Sequence, residues 1–298
     1  MNDLVVVSDE VRRALGHREP VVALETTLVA HGFPPGEGAA VGLESERKVR
    51  EAGATPATVG VLDGRIRVGL TEDELARFGV DARKVGPRDL AACAVQGAVG
   101  ATTVGGTLAV CRVAGIGFMG TGGLGGVHRG FAERPDVSGD LAELARTEAL
   151  IVSSGVKSIL DVPATVELLE ALGVPVLGWR TDELPLFYAA RGGPPVSARV
   201  ETADEAARIA AAHWQLGRRT ALLLARPPDE SLDDVEPLIE RALARAGDEG
   251  VSGQALTPYV LSFLHRESGG RTLAANRDLV AANAGLAAEV AVAFGQLA

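Results

Sequence analysis

Short apolar runs alternate along the chain with longer stretches in which apolar residues recur every three or four positions. The first pattern is that of buried strands, the second that of amphipathic helices. VVALETTLVA (21–30) reads as a strand entering a loop, and GEGAAVGLESERKVREAG (36–53) as a helix closed near Gly53. ATVGVLDGRIRVGL (57–70) reads as a hairpin turning at Asp63-Gly64. In TEDELARFG (71–79), Thr71 and Glu74 have the spacing of a capping box at the head of a short helix. The glycine-punctuated stretch 100–107 is expected to turn, TLAVCRVAG (107–115) to form a buried helix and IGFM (116–119) a strand. SGDLAELARTE (138–148) reads as a capped helix, and ALIVSSGV, PATVELLEALG and VPVLGW (149–179) as a β-α-β unit. VSARVE, ADEAARIAAAHWQLG and TALLLA (196–225) repeat strand, helix, strand, and two long helices, about 234–247 and 273–297, close the chain.

No repeat or low-complexity linker interrupts this alternation. It predicts one α/β domain over residues 1–298, with helices on both faces of a mostly parallel sheet to which the hairpin adds antiparallel pairing. Ligands of such sheets bind beyond the carboxyl ends of the strands. Glu25, Lys157 and the glycines of 120–130 fall there.

Composition narrows the function classes. The 298 residues carry a net charge of −10, which argues against nonspecific nucleic-acid binding, and aromatics are only 4%. No uncharged apolar run of membrane-spanning length is present, so no membrane span is expected. Two cysteines, Cys93 and Cys111, form no staple or C-x-x-C pattern, and the first twenty residues lack a secretory leader's layout. Both features point to a reducing cytoplasm. Only three of the 29 basic residues are lysines: Lys48, Lys84 and Lys157. A lysine kept among so many arginines suggests a need for an amine, which can lose its proton and attack a carbonyl.

GTGGLG (120–125) spells G-x-G-x-x-G after an apolar run. A dinucleotide fingerprint needs a helix to follow. Here GVHRGFAERP follows, with two more glycines and a proline, so no helix is expected. Twelve of the 34 residues from 97 to 130 are glycine. Such a loop cradles a single phosphate through its N–H groups, with Thr121, His128 and Arg129 adding donors, or is a tight passage without ligand. Lys157, at the end of ALIVSSGV and flanked by apolar residues, is expected to be partly desolvated and nucleophilic; the alternative is a lysine reaching the surface. Glu25 ends VVALE, where burial would keep a carboxyl protonated as a general acid; alternatively it caps nearby backbone. Lys84 and Arg88 suit a phosphate or a solvated charge pair. Asp136 and Asp140 flank Val137-Ser138-Gly139, a spacing that suits a hard cation or a helix cap. The five histidines show no zinc spacing, and no nucleophile elbow or P-loop is present. Asn276 and Asn283 are the only asparagines besides Asn2; Asn283 is expected to touch the site, or else to be a packing amide.

Taken together, the blocks VVALETTLVAHGFP, KVGPRDL, GATTVGGTLAVCRVAGI, TGGLGGVHRG, DVSGDL, SGVKSILDVPATVELLEALGVPVLGW and NRDLVAANAGLAAEVA resemble the indigoidine synthase A-like family of pseudouridine-5′-phosphate glycosidases, in family order and over nearly the whole chain. The resemblance implies a three-layer α/β/α fold with a mixed sheet. It implies reversible cleavage of the C–C glycosidic bond of pseudouridine 5′-phosphate to uracil and ribose 5-phosphate, with Lys157 as nucleophile and Glu25 as proton donor. Lys84, Val104 and the stretch Ser138, Gly139, Asp140 correspond to substrate-binding positions, with Thr121 and His128 in the same blocks. Asp136 corresponds to a ligand of one Mn²⁺ per subunit, and a homotrimer is implied. Gly105-Gly106 and Gly86-Pro87 depart from the family pattern near the expected phosphate region. Another Schiff-base lyase or aldolase on a pentose phosphate, or a noncatalytic nucleotide-binding accessory protein, are the rival readings.

Overall fold

Residues 4–133, 135–232, 234–251 and 253–297 are described in a computed structural model of the chain. Its strands, in chain order, are β1 (Val5–Val7), β2 (Val21–Glu25), β3 (Thr55–Leu62), β4 (Arg65–Val68), β5 (Arg83–Val85), β6 (Gly100–Thr102) and β7 (Phe118–Gly120). After these come β8 (Val127–His128), β9 (Leu150–Ser153), β10 (Leu160–Asp161), β11 (Val176–Trp179), β12 (Ala198–Val200) and β13 (Leu222–Ala225). The main sheet runs β1-β4-β3-β2-β7-β9-β13-β11-β12, with β5 and β6 attached through β3. All its pairings are parallel except β3 with β4 and β3 with β6. β8 and β10 form a separate antiparallel pair.

Strand alternation builds two cores. Ala23, Met119, Ile151 and Leu223 point to one, and their neighbours Val22, Leu24, Phe118, Leu150, Val152, Leu222 and Leu224 to the other. Both faces are therefore covered, as buried parallel strands require. The expected three-layer α/β/α architecture with a mixed, mostly parallel sheet is the one observed. The Asp63-Gly64 hairpin has both residues at positive φ, 52° and 72°, as a two-residue turn of this kind demands. Thr71 and Glu74 close the capping box of Glu72–Leu75.

Several elements differ from expectation. The stretch 100–107 is not a turn: it is β6 followed by the start of the helix Val104–Ala114, capped by Thr103. Its glycines serve close packing, since a Cβ on Gly106 would lie 2.4 Å from Val85 O. Leu28 to His31 lie in a short helix instead of a loop. The C-terminal region holds three helices, Glu236–Asp248, Leu256–Glu267 and Arg271–Gly295. The last is long and apolar enough to cross a membrane. It is instead a core element, packed along β2, β7 and β9. Ala284 sits so close to Gly120 that a Cβ there would be 2.7 Å from the Ala284 Cα. This contact seats the helix under the carboxyl ends of the central strands.

Candidate active site

Glu25 is the last residue of β2, and Thr121 follows β7, its sheet neighbour. The Thr121 hydroxyl donates to Glu25 Oε1. Glu25 is only 5% exposed. Burial pushes its carboxyl up to about 7, against the opposing pull of the Lys157 charge and the Thr121 hydrogen bond. A carboxyl with that affinity holds its proton for part of the time at neutral pH and can give it away, the condition for a general acid.

β9 ends at Ser153, four residues before Lys157, so the lysine is not on the strand itself. The chain turns at Gly155 (φ 81°), where a Cβ would lie 2.0 Å from Pro185 O. Ser153 and Gly155 bracket the turn through the Ser153 hydroxyl. The Lys157 N–H then donates to Leu124 O (3.2 Å), tying this loop to the glycine loop. Lys84, in the middle of β5, is the third charged member. Burial pushes its amine down, helped by the Lys157 charge and opposed by Asp140, Glu25 and Asp136. Glu25, Lys84, Lys157 and Asp140 thus share one electrostatic field, although they lie on four separate segments.

The glycine loop between β7 and β8 is not followed by a helix, as expected. Three of its glycines are small because protein side chains fill the space beside them. A Cβ on Gly123 would meet Phe187 at 2.6 Å, on Gly125 the Ser138 Oγ at 2.3 Å and on Gly126 the Thr165 Oγ1 at 2.4 Å. The anion at Gly125 is internal. Asp140, 4% exposed, accepts from Gly125 N (3.0 Å) through one oxygen and from Gly105 N (2.7 Å) through the other. It clamps the glycine loop to the first turn of Val104–Ala114. Gly105 fits this clamp closely: a Cβ there would be 3.0 Å from Asp140 Oδ1. In that first turn Gly106 N bonds the Thr103 hydroxyl and Thr107 N the Thr103 carbonyl. Val104, as the first residue of that helix, has a backbone N–H without a partner inside the helix. Ser138 caps the helix Gly139–Leu144 by accepting from Asp140 N.

A cavity of about 550 Å³ lies here, lined by Lys84, Thr103, His128, Asp136, Ser138 and Asp140, with Gly139 beside them and Arg88 and Arg146 also on its wall. Arg129 does not join these donors. Its guanidinium is held by Ser158 O, Leu160 O and Glu236. Asn283 is fully buried, and its amide donates to Thr121 O (2.8 Å), Gly122 O (3.4 Å) and Ser154 Oγ (3.1 Å). It supports the glycine loop from below, as a packing amide would, and reaches Glu25 through Thr121. Asn276 similarly holds Gly32 O. Arg146, on the cavity wall, has no counterpart in the sequence reading, and its guanidinium is held by Glu143. Sequence reasoning also missed Phe187, whose strained φ of 65° packs it on the glycine loop and which carries no sequence signal.

An α/β chain that sets a buried carboxyl at the end of one parallel strand, within the electrostatic reach of two lysines, has the makings of an enzyme. The family model described as indigoidine synthase A like protein matches residues 10–293, and the chain belongs to that family. It is 48% identical to a pseudouridine-5′-phosphate glycosidase of Streptomyces griseus, over 97% of this chain and 91% of the relative. It is 44% identical to one of Herpetosiphon aurantiacus, over 98% of each. Among solved structures, the prealnumycin C-glycosynthase AlnA in complex with ribulose 5-phosphate superposes with a TM-score of 0.90 at 40% identity, covering 100% of this chain and 99% of the other. An indigoidine synthase A-like protein of Thermotoga maritima gives 0.88 at 37%, covering 98% and 97%.

Proposed function

We propose that the chain is a pseudouridine-5′-phosphate glycosidase that reversibly splits the C–C glycosidic bond to uracil and ribose 5-phosphate. The observation that carries this reading is the placing of the buried Glu25, its carboxyl pushed up to about 7, within the electrostatic reach of Lys157 and Lys84. A C–C glycoside has a poor carbon leaving group, so a two-carboxylate route through an oxocarbenium ion is unattractive. A lysine adduct of the opened sugar offers an electron sink. Lys157 Nζ bonds to C1′ as the C1′–O4′ bond breaks; O4′ takes up a proton and Nζ loses one. The nitrogen lone pair then forms C1′=N as the C1′–C5 bond breaks, and C5 takes the proton of Glu25. Water adds to C1′ and frees the amine, leaving uracil and ribose 5-phosphate; Glu25 regains its proton from solvent.

Lys84 and the Val104 N–H are suited to substrate oxygens, including the phosphate. Ser138, Gly139 and Asp140 shape the wall, and Thr121 and His128 flank the reacting sugar. The resemblance also implies Mn²⁺ on Asp136. Among the described residues no group of three or more Asp, Glu, His or Cys side chains stands ready for a metal. The half-exposed Asp136 carboxylate faces the cavity, and the buried His128 Nδ1 has no hydrogen-bond partner. One carboxylate with open positions for water and substrate suits a hard divalent ion. Bound there, the ion supplies positive charge to oxygens on which negative charge develops. A homotrimer is the assembly proposed with this activity.

The test is to incubate the protein with uracil, ribose 5-phosphate and Mn²⁺ and to look for pseudouridine 5′-phosphate. Absence of product refutes the reading. Because a similar protein is a C-glycosynthase, the same assay with other aromatic acceptors separates the two: product with those and none with uracil favours synthesis of another C-glycoside.

A further inference from the structure

The segment that carries His128 is bridged to the segment that carries Asp136. Val127 pairs antiparallel with Val137, the His128 N–H donates to Asp136 O (3.0 Å), and the Ser138 N–H donates to Gly126 O (2.9 Å). His128 and Asp136 are therefore directly opposed cross-strand neighbours with side chains on one face. β10 pairs with β8 on its other side, Leu160 against His128, and fixes the strand further.

The two side chains meet without bonding. His128 Nδ1 lies 3.9 Å from Asp136 Oδ2, too far for a hydrogen bond. Nδ1 is nonetheless buried and has no partner. An orphaned ring nitrogen in a native site needs an explanation. Two neighbouring ligands of one octahedral divalent ion, each about 2.1 Å from it, lie about 3 Å apart, so a closure of under about 1 Å brings this pair onto one ion.

We propose that His128 Nδ1 is a second protein ligand of the cation carried by Asp136, making a mixed nitrogen and oxygen site; this rests on the Mn²⁺ reading above. Its chemical consequence is selectivity. Imidazole adds little affinity for Mg²⁺, which prefers oxygen, and more for Mn²⁺ and later first-row ions. The paired strand backbone holds both ligands before the ion arrives.

The test uses the intact protein with Mn²⁺ alone. Free Mn²⁺ is followed by electron paramagnetic resonance, and bound Mn²⁺ by pulsed measurement of nitrogen couplings in protein labelled with ¹⁵N-histidine. The expected result is a ¹⁵N coupling in wild type, lost in His128→Ala together with about tenfold or more weaker Mn²⁺ binding and little change in Mg²⁺ binding. Wild type that binds Mn²⁺ without a histidine coupling overturns the proposal, and that measurement needs no variant to fold. If Asp136→Asn abolishes binding while His128→Ala leaves it unchanged, the His128 ligand fails and the Asp136 reading survives. If wild type binds no Mn²⁺, both metal statements fail, while the uracil assay still judges the activity.

Discussion

Glu25→Gln isolates the energetic cost of holding an acid ready in the core. Burial pushes the carboxyl from its ordinary value of 4.5 up to about 7. At about 1.4 kcal/mol per unit, burial in ionised form costs about 3 kcal/mol once the group is fully charged. The folded value is raised, so the contribution to stability is fully present below pH 4.5 and is lost as pH rises through about 7. Gln does not titrate. Its effects on packing and on the Thr121 hydrogen bond are the same at every pH, and only the charging cost varies. Relative to wild type, Glu25→Gln is therefore expected to gain about 2–3 kcal/mol between pH 5 and pH 8. Urea unfolding at a series of pH values in that interval measures it. A stability difference that is flat across the interval refutes the claim that Glu25 is buried with a raised affinity for its proton.

Gly125→Ala places a methyl against Ser138 and Asp140 and is expected to cost about 2–3 kcal/mol of stability, whereas Gly79→Ala, with open space around it, stays within about 0.5 kcal/mol; thermal melts compare them. Asn283→Ala removes the donors to Thr121 O and Gly122 O and is expected to cost about 1–3 kcal/mol; steady-state kinetics should show kcat falling more than KM rises, because Thr121 positions Glu25. Lys84→Gln is expected to raise KM for ribose 5-phosphate about tenfold or more while borohydride trapping at Lys157 persists at saturating sugar; an unchanged KM contradicts its role on the phosphate.

Features governed by local rules were legible in the sequence. The Asp63-Gly64 turn and the Thr71–Glu74 capping box need nothing beyond their neighbours, and both form. The strand ending at Glu25 was visible as a bounded apolar run. What escaped depends on contacts distant in sequence. The glycines at 100, 105 and 106 look like turn residues, but each is small because Cys93, Asp140 or Val85 fills the space of a side chain. The helix Leu256–Glu267 was hidden by Pro258 near its start. Lys157 reads as the end of a strand because it follows the run ALIVSSGV, while the turn at Gly155 packs against Pro185, which is distant in sequence. The same limit applies to Asp140: its spacing suggests a metal or a cap, and only the fold shows it holding two backbone N–H groups from separate elements.

The central claim is that Lys157 bonds covalently to the opened sugar. Incubation with ribose 5-phosphate and borohydride, followed by peptide mass spectrometry, tests it directly. The account predicts a reduced pentose phosphate adduct on the peptide containing Lys157, absent in Lys157→Arg. No adduct in the wild type, or an adduct confined to Lys84 or Lys48, would contradict it.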